Sequence, residues 1–372
     1  MNNNYDIAAY IWPAYGKNDS RSRIFWEQGI GEWQTVMNAK AKFEGHSWPR
    51  KPLWGYVNEA DPYVMEMQIE AATDYGINTF IYDWYWYDRR PFLEACLNDG
   101  FLKAKNRDKM KFYLMWAAHD VPYLWDIRNS DIDDGIIWQA AVDRHEFEII
   151  ANRLIDKYFT HPCYYKIDGK PVFMIYGIAM IIKGLGGEEK AASAFDWFRE
   201  QCIKKGLPGL HLQLDMPYDW SFDLAGVNAG LAISPESVID KLKIDSLTHY
   251  HWCHFADMNK EYNEIIPDAV KEWNRLDSEY NIPYFPNVSL GWDNNPRYKN
   301  LQPIITKNNT PDNIKTAFEQ AKNYADEHKS QPPLITINSW NEWTEGSYLQ
   351  PDDINGYGYL EALKQVFLKD GT

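Results

Sequence analysis

The sequence predicts a (β/α)8 barrel, an α/β fold in which eight parallel strands close into a TIM barrel. Three observations carry this expectation. Eight short apolar, aromatic-rich or β-branched runs alternate with helix-like segments along the chain, and strands separated by helices pair in parallel. The first run passes into Trp12-Pro13-Ala14-Tyr15. It lacks the G-x-G-x-x-G turn that usually follows the first strand of an open doubly wound sheet, the main alternative. The length of 372 residues suits one large α/β barrel. The expected organisation is a single catalytic domain over residues 1–372, with a long first loop from Pro13 to Ala60 that holds little regular structure.

The elements follow in order. The first strand is Tyr5 to Trp12. Asp61-Pro62 supplies a cap and a first-turn proline for a helix whose apolar stripe runs to Tyr75-Gly76. The second strand is Asn78 to Trp84, a helix covers Pro91 to Lys105, and the third strand is Lys111 to Ala117. Ile136 to Tyr158 reads as the longest helix. After an Asp168-Gly169 turn, Pro171 to Tyr176 is the fourth strand, and the helix Glu188 to Lys205 stops at Gly206. Leu210 to Leu214 is the fifth strand, followed by a weak helix at Pro235 to Leu242. Ser246 to His251 is the sixth strand. Asp257 to Tyr280 is helical with a break at Pro267. Tyr284 to Leu290 is the seventh strand. Thr310 caps a helix over Pro311 to Glu327, Leu334 to Asn338 is the eighth strand, and Gly358 to Leu368 closes the chain.

Composition excludes several classes of partner. The formal net charge is -15, a poor match for a nucleic-acid backbone or an anionic membrane surface. No apolar run approaches the ~18 residues of a membrane span. Met1-Asn2-Asn3-Asn4 lacks the basic-then-apolar layout of a signal peptide, so a cytoplasmic location is expected; a removed leader would place the protein in the periplasm or outside the cell. Cys96, Cys163, Cys202 and Cys253 are far apart, as expected of reduced, buried thiols. Trp 17, Tyr 25 and Phe 16 make the chain 16% aromatic. That fits either core filling or a platform for ligands with flat apolar faces and polar edges, such as sugars.

In a barrel, reacting groups come from the carboxyl ends of the strands. Those ends hold Trp12 and Tyr15, then Asp83 and Trp84, then Trp116 and His119, then Tyr176. Gln213 and Asp215 follow, then His249 and His251, then Trp292 and Asp293. The last strand leads into Asn338-Ser339-Trp340-Asn341-Glu342-Trp343-Thr344-Glu345-Gly346. Glu342 and Glu345 are three apart; in a helical turn ended by Gly346 they point the same way. Two carboxylates held close drive their proton affinities apart, giving one acid and one base near neutral pH. Glycoside cleavage needs such a pair. Trp12, Tyr15, Asp83, Trp84, Trp116, His119, Tyr176, His249, His251, Trp292, Asn341 and Trp343 are the candidate substrate contacts. The expected partner is an oligosaccharide or polysaccharide, with no cofactor.

Several segments together resemble the WbsX-like group of glycoside hydrolases related to family 99. They are Tyr5-Asp6-Ile7-Ala8-Ala9-Tyr10, Gly31-Glu32-Trp33, Phe43-Glu44-Gly45-His46 with Pro49-Arg50, and Tyr75-Gly76-Ile77 with Phe80. Asn341-Glu342-Trp343-Thr344-Glu345-Gly346 and Gln350-Pro351-Asp352 complete the set. The resemblance covers nearly the whole chain and implies a (β/α)8 fold and α-mannosidase-type chemistry. It implies that Glu342 is the base that deprotonates a substrate 2-hydroxyl, which attacks C1 to give a 1,2-anhydro sugar. It implies that Glu345 protonates the leaving oxygen and later activates water. Such a route retains configuration and requires manno-configured sugars, α-mannosides or α-L-rhamnosides. The group's name points to the alternative of a glycosyltransferase of polysaccharide assembly; a non-catalytic glycan-binding barrel is a third reading.

Other motifs are weaker. His249 and His251 on one strand face suggest a sugar-binding pair more than a metal site. Asp131-Ile132-Asp133 matches a D-x-D metal-nucleotide motif, but capping of the next helix explains it. His145-Glu146 fails as a metalloprotease motif because residue 149 is Ile. Gly184-Leu185-Gly186-Gly187 lacks the lysine of a phosphate loop. Asp83 is either a substrate contact or an ion-pair partner of Arg89 or Arg90.

Overall fold

A computed structural model of the chain describes residues 4–17, 19–125, 128, 135–216 and 234–368. Eight strands form one continuous path: β1 (Asp6–Ile11), β2 (Thr79–Tyr87), β3 (Lys111–Ala117), β4 (Lys170–Tyr176), β5 (His211–Asp215), β6 (Ser246–Thr248), β7 (Asn287–Ser289) and β8 (Leu334–Asn338). Consecutive strands pair in parallel from β1 to β6, β7 pairs with β8, and β8 returns to β1. A parallel bridge between Leu247 and Tyr284 joins β6 to the segment entering β7. The molecule is thus an α/β TIM barrel, as its alternating elements predict.

Helices α1 (Trp33–Asn38), α2 (Pro62–Asp74), α3 (Arg144–Leu154), α4 (Ile178–Leu185) and α5 (Glu188–Lys204) occur in the first half. Helices α6 (Pro235–Leu242), α7 (Tyr262–Glu279), α8 (Pro311–Glu327) and α9 (Gly358–Phe367) follow. Side-chain capping starts several as expected: Asp61 accepts from Tyr63 N, and Thr310 accepts from Asn313 N. The barrel interior is a packed core. The Tyr10 hydroxyl donates to the His249 carbonyl at 3.0 Å, and the Tyr113 hydroxyl to Gln213 Oε1 at 3.1 Å. Thr248 and Thr336 hydroxyls meet at 3.0 Å.

Four elements differ from expectation. β2 runs on to Tyr87 and turns through Asp88 and Arg89, both at positive φ, into the antiparallel strand Arg90–Phe92. That turn needs φ > 0 at two central residues, usually Asn or Gly, so nothing in Asp88-Arg89 announces it. The predicted helix from Pro91 starts late, because Pro91 and Phe92 belong to the strand Arg90–Phe92, and it runs as a π-helical turn at Cys96–Gly100 and a 3-10 turn at Phe101–Lys103. The predicted helix Ile136–Tyr158 begins only at Arg144, capped by Asp143, because Ile136–Trp138 pairs with Val121–Pro122. Finally, α7 passes through Pro267 unbroken.

The long first loop is not loose. Gly16 N donates to the Ile30 carbonyl, and Glu32 N to the Ala14 carbonyl, each at 3.0 Å. Gly31 has φ 66°, and a Cβ there would lie 1.8 Å from the Ala14 oxygen. Only glycine permits this close crossing, which drives Glu32 into the protein interior.

Candidate active site

The site grows from the segment after β8. Asn341–Glu342 and Ser347–Tyr348 form a small antiparallel hairpin closed by a 3-10 turn at Trp343–Glu345. Gly346 ends the turn at φ 68°, where its Cα backs onto Asp293: a Cβ would lie 3.1 Å from the Asp293 Cβ. Asp293 N donates to the Glu345 carbonyl at 2.6 Å. The turn brings Glu342 and Glu345 onto a single guanidinium. Arg297 Nη2 donates to Glu342 Oε1 at 2.7 Å, and Nη1 to Glu345 Oε1 at 2.6 Å. Its Nε donates to Glu32 Oε1 at 3.0 Å. The other oxygen of Glu32 accepts from Trp12 Nε1 at 2.5 Å.

Two connected chambers lie above this cluster. The inner one, about 160 Å³, is walled by Trp12, Asp83, Tyr85, His119, Trp125, Tyr176 and Tyr250, with Arg297, Glu342 and Glu345. The outer one, about 280 Å³, is lined by His251, Cys253, His254, Trp292 and Ile304 among others. Tyr176, Tyr250 and Glu345 border both, so Glu345 stands at the junction.

Of the sequence candidates, Trp12, Asp83, His119, Tyr176, Glu342 and Glu345 line the inner chamber; His251 and Trp292 line the outer one. The remaining six line neither. Asp83 and Tyr85 face the cavity, so strand alternation turns Trp84 outward, where its Nε1 donates to Glu94 Oε1 at 2.8 Å. Trp116 is likewise outward, packed on Trp84 and Phe147. The Tyr15 hydroxyl accepts from Trp343 N, and Trp343 stacks on Tyr348 with its Nε1 on Gln350. Asn341 is buried in a supporting network. It accepts from Trp12 N at 2.8 Å and donates to the Trp12 carbonyl at 3.0 Å and to Glu59 Oε2 at 2.8 Å. Glu59 also accepts from Gln68 and Gln350, and burial pushes its carboxyl up to about 7.

The expected shared face of His249 and His251 does not form, because β6 ends at Thr248. His249 Nδ1 pairs with the Tyr284 hydroxyl at 2.8 Å, whereas His251 reaches the outer chamber. Among the described residues no group of three His, Cys, Asp or Glu side chains is placed to hold a metal. Asp131 and Asp133 lie outside the described residues. Glu146 accepts from Trp86 Nε1, and Gly184 falls inside α4. Asp83 pairs with neither Arg89 nor Arg90; Arg90 lies 3.7 Å from Asp88 instead.

The electrostatics follow from burial. The Tyr250 hydroxyl lies 3.0 Å from Glu342 Oε2 and 3.4 Å from Asp83 Oδ2, while Asp83 Oδ1 has no partner. Burial, then the nearby Glu342 carboxylate, pushes the Asp83 carboxyl well above its usual range. Burial raises Glu342 and Glu345 as well; Glu345 raises Glu342 further, and Arg297 opposes both shifts. Two coupled carboxylates on one cation hold a proton between them into the neutral range. Burial keeps His119, His251 and His254 neutral by lowering their proton affinities, His251 to about 3.

Sequence reasoning missed Arg297, Tyr250, Tyr85 and Trp125, and gave Glu32 no role. Tyr250 sits between two chosen histidines, but the assumed extended strand turned it away. Arg297 lies eight residues beyond β7 and carries no local signal.

A family model described as "Glycosyltransferase WbsX" matches residues 7–363. Protein WxcX of Xanthomonas campestris pv. campestris, itself described as uncharacterized, is 26% identical over 98% of this chain and 50% of its own length. The chain thus spans about half of that relative. The glycoprotein endo-α-1,2-mannosidase of Rattus norvegicus is 23% identical over 93% of this chain and 68% of that protein. Among solved structures, a GH99 endo-α-mannosidase from Bacteroides thetaiotaomicron superposes with a TM-score of 0.59 at 14% identity, covering 98% of this chain and 97% of that one. A glycoside hydrolase-like protein gives 0.61 at 15% identity, covering 99% and 95%. These two likenesses show the barrel fold, and none of the described helices is long and apolar enough to cross a membrane. The matched span covers nearly the whole barrel, including the Glu342–Glu345 turn, and the chain belongs to the WbsX family.

Proposed function

We propose that this protein is a retaining glycoside hydrolase that cleaves α-linked manno-configured glycans, α-mannosides or α-L-rhamnosides. One observation carries the reading: an i, i+3 pair of glutamates, Glu342 buried and Glu345 partly exposed to the cavity, shares one guanidinium in an aromatic-walled chamber. In this reading the proton held between the pair sits on Glu345 once substrate is bound, and Glu342, kept as a carboxylate by Arg297 and the Tyr250 hydroxyl, takes the proton of the substrate 2-hydroxyl. O2 attacks C1 as the C1–O leaving bond breaks, and Glu345 gives its proton to the departing oxygen. Water then opens the 1,2-anhydro ring at C1: Glu345 takes the water proton and Glu342 returns its proton to O2. Two inversions at C1 give net retention. Glu345 borders both chambers, as expected of a group acting on a bond between two sugars. The sugars stack on Trp12, Tyr85, Trp125 and Tyr250.

The mannosidase relative and the GH99 fold support hydrolysis; the family's description favours a second reading, glycosyl transfer in polysaccharide assembly. A panel of α-mannosides and α-rhamnosides, with products followed by NMR, separates the two. Release of the α-anomer into water supports the hydrolase. Turnover only with a nucleotide sugar and an acceptor overturns it.

Asp83 provides a finer test. Asp83 lines the inner chamber, and burial and the nearby Glu342 raise its proton affinity, so its carboxyl is placed to hydrogen-bond a sugar hydroxyl. Asp83→Ala is expected to lower kcat/KM by roughly 10–100-fold, the worth of one buried hydrogen bond to a polar site. Asp83→Asn, which keeps the side chain's shape and a hydrogen-bonding group, is expected to lose far less. Steady-state kinetics of the two variants decides this; equal losses would remove the hydrogen-bonding role.

A further inference from the structure

The charges around the cleft are strongly one-sided. Asp83, Glu342 and Glu345 line the inner chamber, and Asp257 borders the outer one. Among the described lining residues the single lysine or arginine is Arg297, and each of its three nitrogens already donates to a carboxylate. The lining imidazoles are neutral.

Glu32 is the part of this arrangement that faces away from the cavity. It is fully buried behind Arg297 and lines neither chamber. It contacts Arg297 through both oxygens, at 3.0 Å to Nε and 3.4 Å to Nη2. With Glu32 in place the guanidinium is neutralised from behind as well as from the cavity side. A carboxylate brought in by a ligand would be desolvated beside Glu342 and Glu345 with no free cation among the described lining residues to receive it, and such burial is costly. A sugar hydroxyl brings no charge to desolvate and can hydrogen-bond the Asp83, Glu342 and Glu345 carboxyls that line the chamber.

We propose that the cleft selects uncharged glycosyl units over glycuronates, and that Glu32 sets this selectivity by occupying the Arg297 guanidinium. The proposal rests on the glycan-processing reading, but its test is binding and needs no turnover. The probes are methyl α-D-mannopyranoside and methyl α-D-mannopyranosiduronate, matched except at C6, measured by calorimetry or ligand-observed NMR at neutral pH. Wild type is expected to bind the mannoside at least about ten-fold more tightly than the uronate, a modest share of the cost of an unpaired buried charge. Glu32→Gln removes one negative charge behind Arg297 and is expected to narrow that ratio several-fold. Glu32→Asp, which keeps the charge, is expected to preserve it.

Equal binding of the two probes by wild type overturns the proposal, as does a ratio unchanged in folded Glu32→Gln. Binding of neither probe also overturns it. If Glu32→Gln fails to fold, the wild-type comparison and Glu32→Asp still decide. Selective binding of the mannoside without cleavage of any glycan would leave this proposal standing while the hydrolase reading fails. Cleavage of mannuronosides would do the reverse.

Discussion

Glu345→Gln is expected to lower kcat/KM on the cleaved α-glycan by a factor of roughly 10²–10⁴, the usual worth of a positioned acid/base group. The amide keeps the side chain's shape and its contact with Arg297, but it has no proton to give the leaving oxygen. Glu345 borders both chambers and accepts from Arg297 through Oε1; its Oε2 has no partner among the described residues. That free oxygen is where a leaving group would be met. The loss is expected to be smaller for a substrate whose leaving group departs without a proton, such as a glycosyl fluoride, because only the first step then escapes the defect. Glu342→Gln is expected to be similarly impaired and not to be rescued this way. Full activity of either variant on the natural glycan would remove the acid/base assignment.

Arg297→Met is expected to be the most damaging substitution for the protein as a whole. The guanidinium contacts Glu32, Glu342 and Glu345. Its loss leaves the buried Glu32 and Glu342 and the partly exposed Glu345 facing one another, and uncompensated buried charge typically costs about 3–5 kcal/mol. Hydrolysis is expected to fall to background. The cost depends on pH in a defined direction. Without Arg297 the folded carboxylates bind protons more tightly than the unfolded ones do. Groups of this kind add stability that is present in full below the unfolded carboxylate range, near ~4.3, and is lost as pH rises through their raised folded values. The gap in melting temperature between Arg297→Met and wild type is therefore expected to be small near pH 5 and to widen toward pH 8. A gap constant across that range would show that the defect is one of packing alone.

Local sequence was a good guide where an element depends on its own residues. Thr310-Pro311 marks the start of α8, and β3 and β8 match their predicted bounds. It failed where a distant partner decides. Ile136–Trp138 is apolar enough to belong to a helix, but Val121–Pro122 claims it as a strand. The run from Asn78 was expected to stop at Trp84, yet the hairpin with Arg90–Phe92 carries β2 on to Tyr87. Strand alternation could have divided Asp83 from Trp84, since neighbouring side chains on a strand point to opposite faces. Reading every residue at the strand tips as a cavity residue ignored that division.

By itself, the sequence determined the barrel, through alternating strands and helices, and the nearness of Glu342 and Glu345, through three-residue spacing before a glycine. These are local properties, set by hydrophobic period and turn chemistry. Only the tertiary structure decided what those glutamates face. Arg297, Glu32, Asp83 and Tyr250 come from four separate loops and strand ends, and no spacing rule connects them. Their proton affinities depend on burial and on distances of about 3 Å across the barrel mouth, which exist only once the strands have closed.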